Sequence, residues 1–208
     1  MPEFDLDDTT RARYLGIVDD ETARLERIIR DLLDLARFEG GGGDLVIRDV
    51  AVDQLFERVR ARHERASLEA GVTIDTKIDR GAEIVSGDRD RLEQALQNLA
   101  ANALRYAPRG TSIELRARPS EEVDASGLMV PAVVISVTDH GPGIDPEHLP
   151  HVFDRFYKAD HARTQANGEP GGSGLGLSIV KAISERHGGT VSVKSQPGLT
   201  VFRMVIKN

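Results

Sequence analysis

The chain has 208 residues, 39% of them apolar and 29% charged, enough for one domain with a sizeable core plus an appendage. Its net charge of −7 argues against a sequence-independent grip on nucleic acid, and no apolar run reaches the roughly 18 residues that a membrane-spanning helix needs. No signal peptide is visible, and with no cysteine the chain has neither a disulfide framework nor thiolate chemistry, which fits the cytoplasm. Met1-Pro2-Glu3-Phe4 reads as an expression remnant, so the chain is expected to be a piece of something longer.

Residues 11–39 form one long predicted helix. Val18, Leu25, Ile28, Leu32 and Leu35 recur at helical steps, Ile29, Leu33 and Ala36 widen the stripe, and Arg24, Glu26, Arg27, Arg30, Asp31 and Asp34 flank it. That is a coiled-coil or bundle seam in need of a partner; the alternative is a helix packed on its own domain. Exposure of the seam is expected to drive self-association. Gly40 to Gly43 make a flexible joint, which divides the chain into residues 1–43 and 44–208.

After the joint, Asp44 to Val52 alternates as a strand. Val52 to Ala70 is an amphipathic helix with Leu55, Phe56, Val59 and His63 or Ala66 inward, stopped by Gly71. Val72 to Ile78 is a half-buried strand, residues 83–86 form a short one, and Asp88 is the N-cap of the next helix. Pro108-Arg109-Gly110 ends that helix. Ser112 to Ala117 and Ala132 to Thr138 are strands joined by an acidic loop with Glu121, Glu122 and Asp124. Gly141 to Gly176 is loop-rich, with one short amphipathic piece from Leu149 to Tyr157. A helix runs from Gly176 to His187, where Gly188-Gly189 stop it, and Thr190 to Lys194 and Thr200 to Ile206 are closing strands. This order implies helices on one face of a mostly antiparallel sheet.

Three stretches carry chemistry. In the helix that contains Leu92 to Tyr106, Leu92, Leu96, Leu99 and Ala103 make an apolar face, and Asn98, Asn102 and Arg105 make a second stripe a quarter to a third of a turn away. Each mid-helix asparagine costs about 0.5–0.7 kcal/mol relative to alanine. Their carboxamide oxygens suit a hard cation such as magnesium; the alternative is two solvated side chains on a helix edge. Asp139 ends a strand and precedes Gly141 and Gly143, which permit close backbone approach to a ligand. An ionised aspartate only accepts hydrogen bonds, so it could select an exocyclic amine such as that of adenine, although as a bare turn the pattern is ordinary. Gly171-Gly172-Ser173-Gly174-Leu175-Gly176-Leu177 runs into a helix and offers free backbone amides to phosphates, and its spacing excludes both a P-loop and a dinucleotide-binding turn. Among the histidines, His148 and His151 have a zinc-compatible spacing but no supporting cysteine or carboxylate, and His187 lies near a helix C-terminus, where a cation is favoured.

Taken together these stretches resemble the ordered boxes of the bacterial sensor histidine kinases. Asn98-x-x-x-Asn102-Ala103-x-Arg105-Tyr106 is similar to their N box, and Asp139 to Ile144 to the G1 box. Phe153-Asp154-Arg155-Phe156-Tyr157-Lys158 is similar to the F box, and Gly172 to Leu177 to the G2 box. The resemblance implies a Bergerat-type two-layer α/β sandwich over residues 44–208, with helices on one face of a mixed sheet. The long coiled-coil-type helix before it would be the second helix of the dimerisation and phosphotransfer hairpin. It also implies ATP and Mg²⁺ as cofactors. Asp139 would read the adenine amine with Thr200 nearby, Asn102 would ligate Mg²⁺ with Asn98 beside it, and Arg105 and Lys158 would contact phosphates. Asn98, Arg105 and Lys158 would form the catalytic set. Tyr106 would pack by the base, and Gly141, Gly143 and Tyr157 would also belong to the nucleotide site. Gly172, Gly174, Leu175, Gly176 and Leu177 would hold the triphosphate, and residues from about 158 to 171 would be a lid.

The expected partners are the phosphoacceptor-histidine helix, a second copy in the full-length protein and a response regulator, with the chain lying in the cytoplasmic portion of a membrane-bound receptor. The departures are specific. No histidine precedes His63, and His63-Glu64 has Leu68 where the family has proline, so the acceptor is expected outside this chain. Arg105 replaces a more usual lysine, and Gly198-Leu199-Thr200 keeps one glycine of the last box. The alternative functions are an ATPase or ATP-gated dimer switch of the wider superfamily, or a serine kinase like the anti-sigma factors. The hydrolases carry a glutamate where Asn98 stands, and Asn98 cannot take a proton from water.

Overall fold

Three runs bury every second side chain completely: Ile113, Leu115 and Ala117; Val133, Ile135 and Val137; and, at 1% exposure or less, Phe202, Met204 and Ile206. Period-two burial of this kind makes one face of a sheet. The structure is a computed structural model and describes residues 7–39, 44–123, 126–159 and 173–208. Helix α1 (Asp8–Glu39) is followed by β1 (Arg48–Ala51), α2 (Val52–Ala70), β2 (Thr73–Ile78), β3 (Ile84–Gly87) and α3 (Arg89–Tyr106). The hairpin β4 (Ser112–Val123) and β5 (Met129–Asp139) comes next, then α4 (Gly176–Arg186), β6 (Thr190–Gln196) and β7 (Leu199–Lys207). The main sheet has the order β2-β4-β5-β7-β6. Only β2 and β4 run parallel, and β1 and β3 form a separate two-stranded ladder. Helices α2, α3 and α4 cover one face, which is the mixed two-layer sandwich expected.

Helix α3 is the central pillar. Leu92, Ala95, Leu96, Leu99, Ala100 and Ala103 are fully buried against the sheet and the neighbouring helices, and each leucine contributes about 1.5–3 kcal/mol. Asp88 caps it as expected, accepting from Asp90 N at 3.1 Å and Arg91 N at 3.2 Å, while its other oxygen accepts from Val46 N at 3.0 Å. The N–H of Asp88 in turn donates to His187 Nε2 at 2.9 Å, at the C-terminal end of α4. His187 Nδ1 lies 2.8 Å from the Ile183 carbonyl and donates to it, so the ring is neutral. Burial pushes its pKa down, which corrects the expectation of a helix-terminal cation: here desolvation outweighs the helix dipole.

Four boundaries differ from expectation. The β4–β5 ladder continues from Arg118 paired with Val134 to Val123 paired with Met129, where an acidic loop was expected. No residue beyond Ala117 in β4 is buried, so the backbone pairing leaves no apolar alternation to read. The first strand begins only at Arg48. The piece around Leu149 shortens to a 3₁₀ turn, Leu149–His151, with Pro150 in it, followed by single turns. Strand β6 extends to Gln196.

Helix α1 is seated on the rest of the chain. Leu35 is 3% exposed and Ile28 packs on the core, whereas Leu25, Ile29 and Leu33 are all more than half exposed. Gln94 Nε2 donates to Asp34 at 2.8 Å, Arg91 lies 3.6 Å from the same carboxylate, and the Ser173 hydroxyl donates to Asp31 at 3.1 Å. The seam is therefore covered in part by its own chain and only in part left for another helix. Residues 40–43 lie outside the described residues.

Gly189 fixes the turn from α4 into β6. A Cβ there would lie 1.7 Å from the Val205 carbonyl oxygen, a backbone atom that cannot step aside. Gly189→Ala is expected to cost at least about 3 kcal/mol, the upper end for overpacking, as read by urea denaturation. A loss below about 1 kcal/mol would show that β7 yields at this point.

Candidate functional site

Asp139 closes β5 at 3% exposure. Its Oδ1 accepts the Gly141 N–H at 2.9 Å, which leaves the other oxygen as an acceptor. Burial pushes the carboxyl pKa up, against the Gly141 hydrogen bond and the charge of His140, which pull it down. Across the β5–β7 ladder, Asp139 pairs with Thr200, itself 4% exposed, and both side chains point to the helix side of the sheet.

The turn after Asp139 is packed where no side chain could fit. A Cβ on Gly141 would meet Asp139 Oδ1 and the Tyr106 carbonyl oxygen, each at 2.8 Å. One on Gly143, at φ +84°, would meet the Gln196 backbone at 2.7 Å. The Gly141 carbonyl accepts from Gly198 N at 2.9 Å, and the Ile144 N–H donates to Ser195 Oγ at 2.8 Å. The Ser195 and Thr200 hydroxyls are 2.8 Å apart. Thus the Asp139 turn lies against the end of α3, with the exposed Tyr106 ring beside it, and is tied back to β6 and β7.

The third wall comes from the start of α4. Gly176 lies against Asn98, whose Cγ and Oδ1 would both be 3.6 Å from a Cβ there. Gly174, at φ +75°, accepts the Phe156 N–H through its carbonyl at 2.9 Å, and a Cβ on it would meet the Phe156 backbone at 2.8 Å. Phe156 itself has φ +60°, the one described non-glycine residue in that region, so the expected F-box and G2-box segments are clasped together. Asn98, Asn102 and Lys158 are half-buried and Arg105 is exposed, and none of the four side chains makes a hydrogen bond or ion pair among the described residues.

Other expected site residues are placed differently. Leu175 is fully buried in the core and its N–H donates to Ser173 Oγ at 3.2 Å, and Leu177 packs on the core from the rim. The Leu175 side chain thus anchors the loop, and Leu177 is half-buried at its edge. The Tyr157 hydroxyl is bonded to His148 Nδ1 at 2.8 Å, and His151 is bonded to Asp154 at 2.9 Å. Both histidines of the zinc-compatible spacing are thus used, and no cluster of three metal-ligating side chains occurs among the described residues. Gly172 and nearly all of the expected lid, residues 160–171, lie outside the described residues. A cleft of about 530 Å³ between Leu35, Phe153 and the Lys181–Arg186 side of α4 shares no residue with the walls above.

Sequence reasoning missed Ser195 and the Ser173–Asp31 contact. The first left a trace: Ser195 continues the inward positions Val191 and Val193 of β6, a polar residue in an apolar row. The second joins residues 142 apart and left none.

Residues 87–208, more than half of the chain, match the family described as histidine kinase-, DNA gyrase B-, and HSP90-like ATPase. The chain belongs to this family. It is 39% identical to the sensor protein IrlS of Burkholderia pseudomallei over 191 residues, which cover 90% of this chain and 38% of that protein. It is 36% identical to the sensor protein SrrB of Staphylococcus aureus over 184 residues, covering 88% of this chain and 29% of the relative. The chain thus spans well under half the length of these curated relatives. The crystal structure of full-length ShkA in complex with AMPPNP matches with a TM-score of 0.71 and 25% identity, over 98% of this chain and 40% of that one. Within the family, the chain is similar to the catalytic regions of sensor histidine kinases. No helix among the described residues is long and apolar enough to cross a membrane.

Proposed function

We propose that this chain holds Mg·ATP between α3, the Asp139–Ile144 turn and the start of α4, and presents the γ-phosphate to a histidine that lies outside it. Residues 44–208 are the catalytic unit, and residues 1–43 are the second helix of the dimerisation hairpin with its hinge. The observation that carries this reading is the packing of a buried carboxylate turn against the end of the asparagine helix, while Asn98 on the same helix meets the glycine start of α4. One groove then has an amine-selective acceptor at one end and free backbone amides at the other.

Each part has a task. The second Asp139 oxygen accepts from the adenine amine, and Gly141 lets the backbone come close. The start of α4 holds phosphate oxygens through its N–H groups and helix dipole, and Arg105 and Lys158 supply unpaired positive charge. Asn102 fits magnesium: it is a half-buried, unpartnered oxygen donor with no carboxylate cage around it. That suits an ion which keeps several waters and takes its remaining ligands from phosphates. When bound, the ion neutralises charge on the transferring group. The histidine nitrogen attacks the γ-phosphorus, the bond to the bridging oxygen breaks, and ADP leaves with that electron pair. Positioning and charge neutralisation carry most of the catalysis. At position 98 a carboxamide replaces the general base that hydrolysis needs, which favours transfer to a partner over release to water.

In the full-length protein, the acceptor helix, a second copy and a response regulator complete the system in the cytoplasmic part of a membrane-bound receptor. The isolated chain, given γ-labelled ATP and Mg²⁺, is expected to acquire no acid-labile label and to release little phosphate. Label on this chain would overturn the placement of the acceptor, and rapid phosphate release would favour the ATPase reading.

The raised Asp139 pKa adds a pH signature. The adenine amine needs the ionised carboxylate, so ATP affinity falls as pH drops through the raised value, above the usual range near pH 3.9. The free protein shows the opposite sign: its folded state binds that proton more readily than its unfolded state, so this group's contribution to stability improves over the same interval. Calorimetry along a series of falling pH, with Asp139→Asn as the reference, checks this. A parent profile parallel to that of the variant would contradict it.

A further inference from the structure

Thr200 faces Asp139 across the β5–β7 ladder, and its hydroxyl is 2.8 Å from that of Ser195. Ser195 is itself engaged from the other side, because the Ile144 N–H donates to its Oγ at 2.8 Å. A hydroxyl has one proton. With a lone pair of Ser195 already taken by Ile144, its proton is best used on Thr200 Oγ1, and the Thr200 proton is then free to point toward the Asp139 side. The opposite orientation would make Ser195 accept twice and leave its own proton without a protein acceptor in a half-buried site.

We propose that Ser195 is a specificity-determining positioning residue, which orients the Thr200 hydroxyl as a hydrogen-bond donor beside the Asp139 acceptor. The inference rests on reading this groove as the purine site. An acceptor and a donor side by side match the amine and the unprotonated ring nitrogen N1 of adenine. Hypoxanthine and guanine present the reverse pair, a carbonyl oxygen and a protonated N1. Ser195 thus acts through Thr200 to set adenine against 6-oxopurines. Through Ile144 it also joins that choice to the turn which carries Gly141 and Gly143. Ser195, Thr200 and Ile144 belong to β6, β7 and the loop after β5, so the relay holds three separate elements in one register.

The test is calorimetric binding of ATP and ITP, with Mg²⁺, to the full chain and to Ser195→Ala, Ser195→Thr, Thr200→Val and the double variant Ser195→Ala/Thr200→Val. Ser195→Ala is expected to lower the ATP:ITP affinity ratio about tenfold, the scale of one net hydrogen bond, and Ser195→Thr to restore it. If Ser195 works through Thr200, the double variant loses no more discrimination than Thr200→Val alone. A purely structural role would weaken ATP and ITP equally and leave the ratio unchanged, which would overturn the proposal, as would additive losses in the double variant. Should Ser195→Ala fold poorly by circular dichroism, Ser195→Thr against Thr200→Val decides the same point: restored discrimination only where both hydroxyls are present supports the relay. Asp139→Asn separates the two levels. If it binds ATP as the parent does, the purine-site reading fails; if it loses ATP while Ser195→Ala keeps the parental ratio, only the relay fails.

Discussion

Asp139→Asn is expected to weaken ATP binding about 100-fold, or about 2.7 kcal/mol, with little change in the folded state. The buried carboxylate accepts the Gly141 N–H at 2.9 Å, and in the proposed complex it would serve the adenine amine as a second donor. A carboxamide has one oxygen and one NH₂ group, so whichever way it turns, one donor faces another donor. Losing a charge-assisted hydrogen bond costs about 1.5–3 kcal/mol and an unpaired buried donor about 1–3 kcal/mol, which brackets the expected loss. Stability should move little, or improve slightly, because the variant removes a charge whose burial is unfavourable. Calorimetry with ATP and a parallel urea titration measure both. Unchanged ATP affinity would remove adenine from this end of the groove.

Asn102→Ala is expected to abolish the magnesium dependence of ATP binding while sparing most of the affinity measured with a chelator. The residue lies one turn beyond Asn98, half-buried and without a partner, so alanine leaves no orphaned group and does not disturb the α3 packing face. Alanine is also the better helix former by about 0.5–0.7 kcal/mol, so thermal stability should rise slightly. A variant more stable than its parent, yet deaf to Mg²⁺ and at least about tenfold weaker for ATP in its presence, would mark Asn102 as a ligand and not a structural residue. Equal affinity with and without Mg²⁺ in the parent would remove that role.

The contrast between what was legible and what was not follows from range. Local rules placed the Asp88 cap, the α3 face, the Asp139 turn and the glycine start of α4. Each is written within four or five consecutive residues, or in a helical period. The hairpin end from residue 118 to 131 was read as a loop because none of its described side chains is buried, and backbone pairing alone leaves no pattern in a single sequence. His187 was assigned from its helix end, but a residue 99 positions away fixes its tautomer. Leu175 was counted with the ligand groups because it shares the motif of the glycine loop, and only the structure shows that its side chain is buried in the core. Between a bundle seam and a helix packed on its own domain the sequence left both open for α1, because the acidic flank, Asp31 and Asp34, meets Ser173, Arg91 and Gln94 only in three dimensions.

The central claim is that the groove serves a histidine supplied from outside. The direct measurement is phosphohistidine formation when this chain, ATP and Mg²⁺ are mixed with a longer form of the protein that contains the upstream helix but carries Asp139→Asn. That partner binds ATP about 100-fold more weakly, so at low ATP the label it gains above its own background comes from the site described above. Acid-labile label on the longer chain, lost when Asn102→Ala replaces the parent module, is the result predicted. Phosphate released to water at the same rate with or without the longer chain, and no label on it, would contradict it.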